Sequence, residues 1–246
     1  MTRTSPAPSH RVWITGASSG IGRATALALV RKGHHVVATA RSTAALEALR
    51  EEATDMPGTL DVHACNVTRS EETQGCANWI QAHLGGLDVL IPNAGIGHFD
   101  PLKHADLEEW KAMIDVNVQG VLNTLHAALP LLLASRGHVI NIGSLAARQV
   151  FPNSGVYCAT KHAVLALSES LRLEFRDELA VTTINPGAVD TPFIERTSNE
   201  ALRASYRPQF SEGMAPEFVA DAIVFAVESG GRGVVSELTL RPDRRG

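Results

Sequence analysis

Short apolar, β-branched runs alternate along the chain with longer stretches rich in Ala, Leu, Glu and Arg. Residues 12–14, 34–39, 59–64, 87–91, 138–142, 180–185 and 234–240 have the length and composition of buried strands. Residues 24–30, 44–53, 71–84, 107–133, 156–179 and 216–228 read as helices, with Pro130 expected to end or kink the long one. Such β-α alternation predicts an α/β fold: a doubly wound parallel sheet of about seven strands with helices on both faces. Residues 190–213 break the rhythm. That stretch is polar, holds Pro192 and Pro208, and follows a strand end, so it is expected to cover a substrate.

Size and composition narrow the picture. A chain of 246 residues with 44 % hydrophobic and 20 % charged positions suits one domain with a real core, residues 11–246, behind a flexible tail over 1–10. A net charge of −4 gives no reason to expect nucleic acid or a membrane surface as partner. No unbroken apolar stretch reaches the ~18–20 residues of a membrane span. The first nine residues lack the apolar segment of a secretory signal, so a cytoplasmic location is expected. Three scattered cysteines, Cys65, Cys76 and Cys158, point to reduced thiols. The ten histidines show no H-x-x-x-H or H-E-x-x-H spacing, and no metal site is expected.

Two constellations carry chemistry. Tyr157 and Lys161 lie four residues apart, on one face if helical, and Ser144 sits just past the strand 138–142. A nearby ammonium lowers the phenol pKa from ~10 and lets it move protons. Near the start, an apolar run leads into Thr15-Gly16-Ala17-Ser18-Ser19-Gly20-Ile21-Gly22 and then a helix. Glycines there let the backbone turn tightly and approach a pyrophosphate at the helix N-terminus.

Together with Asn93-Ala94-Gly95, Asn117 and Pro186-Gly187-Ala188-Val189-Asp190-Thr191, these motifs resemble the short-chain dehydrogenase/reductase family, in order, from about residue 11 to 240. The resemblance implies a Rossmann-type fold and hydride transfer between a nicotinamide dinucleotide and a carbonyl or alcohol. It assigns Tyr157 as acid and base, Lys161 as its electrostatic partner and ribose ligand, and Ser144 as donor to the substrate oxygen. Asn117 is expected to hold a water that links Lys161 to solvent. The cofactor is expected along Gly16, Ser18, Ser19, Gly20, Ile21, Gly22, Asn66, Val67, Asn93, Ala94, Gly95, Pro186, Gly187, Val189 and Thr191. By the same resemblance, Leu122, Leu125, Leu167 and Leu171 pack against partner subunits, giving a homodimer or homotetramer.

The second strand ends in Ala38-Thr39-Ala40-Arg41-Ser42, with no acid to bind a ribose 2′-hydroxyl and an arginine suited to a 2′-phosphate; NADP(H) is the expected cofactor. Two positions depart from the family pattern. Asn66 stands where Asp is usual, and Pro92 replaces the first Asn of Asn-Asn-Ala-Gly, so the strand must end or bulge there. His98, Leu145, Arg148, Phe151, Ala188, Phe193 and Tyr206 are candidate substrate-pocket residues, with Met214 a further apolar contact. Arg148 either pairs with a substrate carboxylate or faces water, and the second is preferred. The ending Glu237-Leu238-Thr239-Leu240-Arg241-Pro242 resembles a subgroup of hydroxy-acid and aldehyde reductases. A carbonyl reductase or alcohol dehydrogenase is therefore placed first. A ketoacyl-thioester reductase comes second, and a non-catalytic NADPH-sensing protein third.

Overall fold

The computed structural model describes residues 9–230 and 233–243. Five strands alternate with helices through the first two thirds: β1 (Arg11–Thr15), α1 (Gly20–Arg31), β2 (His35–Ala40), α2 (Thr43–Glu52), β3 (Thr59–Ala64), α3 (Ser70–Leu84), β4 (Val89–Ile91), α4 (Leu107–Ile114), α5 (Gly120–Ser135) and β5 (His138–Ile142). There follow α6 (Gly155–Glu174), β6 (Ala180–Pro186), α7 (Glu200–Ser211), α8 (Pro216–Glu228) and β7 (Glu237–Leu240). The sheet runs β3-β2-β1-β4-β5-β6-β7 and every pair is parallel. Parallel strands need crossover helices, which cover both faces.

Alternation along each strand divides the core in two. Val12, Ile14, Val36 and Ala38 pack with α1, α2 and α8, while Trp13, Val37, Leu90 and Val139 pack with α3, α5 and α6. Trp13 is fully buried and satisfies its indole N–H on Thr39 Oγ1 at 3.1 Å. Leu125, expected at a subunit contact, is buried in the second core, and Leu167 and Leu171 pack against it; Leu122 alone of the four is exposed.

The long helical stretch is broken, but not at Pro130. A π-helical turn over Asp115–Gln119 separates α4 from α5, and α5 runs through Pro130 to Ser135. Pro130 removes one hydrogen bond to the carbonyl four residues back, that of His126. Both residues are exposed, so water can satisfy that carbonyl. The helix stops where Arg136 takes a left-handed φ of 53° ahead of Gly137. Leu107–Ser135 has the length and composition of a membrane span. Its Val121, Leu125, Ala128 and Leu132 side chains are nevertheless buried in the second core.

β4 ends at Ile91, directly before Pro92, as the missing N–H demands. The covering segment is more ordered than a loop: a 3₁₀ turn over Pro192–Arg196 precedes α7, none of whose residues is buried.

Candidate active site

β1 and β4 are neighbours whose crossovers leave in opposite directions, and a crevice opens at their carboxyl ends. A cavity of about 760 Å³ occupies it. The glycine turn forms one wall. Gly16 and Gly20 hold φ of 68° and 54°, which side chains rarely adopt. A Cβ on Gly22 would lie 2.4 Å from both Asn93 Nδ2 and Gly16 O, so the turn closes only with glycine there. Asn93 locks it by donating to Thr15 O at 2.9 Å, while Thr15 Oγ1 accepts from the N–H groups of Asn93 and Ala94. No side chain caps α1, and its first turn carries no acid, so its amides suit an anion. Arg41 is exposed on the same cavity.

The opposite wall comes from β5 and α6. Ser144 follows β5, donates its N–H to Asn185 Oδ1 at 3.2 Å, and accepts at Oγ from the Ala146 N–H. Tyr157 lies in the first turn of α6 and Lys161 one turn on. Lys161 Nζ donates to Ile142 O at 2.8 Å and stands 5.9 Å from the Tyr157 ring centre. Burial pushes the Tyr157 phenol up to about 12, with the Ser144 hydroxyl pulling the other way. Lys161 is pushed down to about 8 by its own burial. The phenol thus moves up rather than down as expected, because burial is the largest influence on it and the Lys161 hydrogen bond goes to a backbone carbonyl.

Every predicted cofactor position from Gly16 to Thr191 lines the cavity, as do Leu145, Phe151, Ala188, Phe193 and Tyr206. Four candidates do not. His98 turns its Nδ1 to Glu109 Oε1 at 3.2 Å. Asn117 is buried behind the wall, bonded to Ile96 and to Thr160 Oγ1. Arg148 pairs with Glu237 rather than facing water alone, and Met214 belongs to the core.

Residues 10–201 match the short chain dehydrogenase family. The chain belongs to that family and is an oxidoreductase of it. An uncharacterized oxidoreductase of Staphylococcus saprophyticus is 34 % identical over 94 % of the chain and 95 % of its own length. A glycine betaine reductase of Emericella nidulans is 36 % identical over 93 % of the chain, which spans only 18 % of that longer protein. Among solved structures, an alcohol dehydrogenase of the archaeon Thermococcus sibiricus, complexed with 5-hydroxy-NADP, superposes with a TM-score of 0.86. It is 30 % identical and covers 97 % of this chain and 99 % of its own.

Sequence reasoning missed several wall residues of this short-chain dehydrogenase, chiefly Phe99 and Phe210. One signal was present at Gly97. A Cβ there would lie 2.5 Å from Phe193 Cζ, so glycine clears space for a ring two residues before Phe99. Phe210 sits on α7 and reaches the cavity only because that helix folds back over it.

Proposed function

We propose that this protein is an NADP(H)-dependent oxidoreductase that interconverts a carbonyl compound and its alcohol. The observation that carries the reading is the convergence of Ser144, Tyr157 and Lys161 on the cavity that also holds the glycine turn. The residues suit the cofactor. The closed turn and uncapped α1 amides fit a pyrophosphate, Arg41 fits a 2′-phosphate, and Lys161 fits the ribose hydroxyls. When bound, the nicotinamide supplies or accepts the hydride.

Ser144 Oγ donates to the substrate oxygen and orients it. Tyr157 gives that oxygen its proton in reduction and takes it back in oxidation. A phenol pushed up to about 12 is held in the donor form that reduction requires. Asn117 acts as a positioning residue, since both protons of its amide are already engaged.

The test is NADPH consumption with ketones, aldehydes, keto acids and ketoacyl thioesters, with NADH and Tyr157→Phe alongside. NADPH-driven turnover that disappears in Tyr157→Phe, with NADPH affinity kept within about twofold, is expected because only the proton is removed. Turnover retained by that variant overturns the assignment.

A further inference from the structure

We infer that the substrate end of the cavity takes a neutral carbonyl compound bearing an aryl ring, with Phe99 as a specificity-determining residue; this rests on the reaction proposed above. Phe99 is 8 % exposed, and its ring centre lies 5.8 Å from Tyr157, 6.2 Å from Phe193, 5.6 Å from Tyr206 and 6.4 Å from Phe210. Tyr157 and Phe193 are 5.5 Å apart, edge to face. Aromatic residues make up 5 % of the chain, yet both its tyrosines and three phenylalanines meet at this one place. All five rings line the cavity, so a flat ring seated beside the phenol has aromatic faces and edges to pair with, whereas an alkyl group gains burial only.

Charge points the same way. The Glu195 carboxylate is held by two nitrogens of Arg207, and Arg148 is tied to Glu237. Arg196 is exposed, and the buried Lys161 divides its donors between Ile142 O and, in the reading above, the ribose hydroxyls. Among the described residues, a keto acid would find no buried guanidinium lining the cavity beside Tyr157. A long thioester arm meets α7, which is fastened by Asn199 Nδ2 donating to Asp100 Oδ1 at 2.6 Å and by Asn153 Nδ2 donating to Tyr206 Oη at 3.1 Å.

The test compares kcat/KM for acetophenone and benzaldehyde with that for butanone, pyruvate and an acetoacetyl thioester, in the wild type and in Phe99→Leu and Phe210→Leu. An aryl preference of about tenfold or more, shrinking about tenfold in Phe99→Leu mainly through KM, is expected from the loss of ring pairing. Phe210→Leu, on an exposed helix, keeps the test valid should Phe99→Leu fold poorly. Equal or better turnover of pyruvate, butanone or the thioester overturns the inference and leaves the reductase reading intact. If nothing is turned over, the reductase reading falls, and calorimetry of 1-phenylethanol with the NADP⁺-loaded protein decides the pocket. Binding weakened by either variant supports an aryl site, and no binding overturns it.

Discussion

Asn117 and Ile96 exchange two hydrogen bonds of 2.8 Å: Oδ1 accepts from the Ile96 N–H, and Nδ2 donates to the Ile96 C=O. The π turn that carries Asn117 thereby grips the irregular stretch following Asn93-Ala94-Gly95, one wall of the cavity. Single-turn π bulges of this kind often accompany functional sites. Asn117→Ala leaves a buried N–H and C=O unpaired and is expected to cost about 2 kcal/mol or more. A denaturant titration checks this, and an unchanged midpoint would show that the wall holds without the clasp.

Arg41 decides between cofactors in the proposed reading. Arg41→Ala removes a charge-assisted contact and is expected to raise the KM for NADPH roughly 10- to 100-fold, with far less effect on NADH. The NADPH effect should shrink as salt rises, since the side chain is exposed. Parallel loss with both cofactors would assign Arg41 a structural role instead.

Lys161 is charged below its pKa of about 8 and neutral above it. Its contribution to binding NADPH is therefore expected to be full at pH 6.5 and to fade as the pH rises through 8. Fluorescence titrations of NADPH across pH 6.5–9.5 check this against Lys161→Arg, whose guanidinium keeps its charge throughout. Affinity that is flat for the wild type shows that the ammonium keeps its proton in the complex.

His138 sets an acid limit on stability. It is buried in β5 beside Thr182 Oγ1, and burial, aided by the His10 charge, lowers its pKa from 6.5 to about 4. Between pH 6.5 and 4 the unfolded chain binds a proton that the folded chain refuses, so stability falls as pH falls through that window. The fall from 6.5 to about 4 corresponds to roughly 3 kcal/mol. His138→Gln, which does not titrate, should flatten that part of a Tm-versus-pH curve.

The strands, the crossovers and the glycine turn were legible in the chain because each rests on local spacing. Val12 to Ile14 carry the alternation of a two-faced strand, and Gly16, Gly20 and Gly22 carry backbone needs that few other residues meet. Ser144, Tyr157 and Lys161 were equally readable, since a helix turn and a strand end put them on one side in any such sheet. The rest depended on partners distant in sequence. His98 and Arg148 read as candidate pocket residues, Arg148 with water preferred, because their partners Glu109 and Glu237 lie far off in the sequence. Phe99 carried no signal of its own in the chain, and only the placement of α7 brings Tyr206 and Phe210 over it. The direction of the Tyr157 pKa belongs to the same class. The sequence by itself determined which groups can do chemistry and where along the sheet they stand; only the tertiary structure decided their surroundings, because desolvation and ion pairing act through space between segments the chain order does not relate.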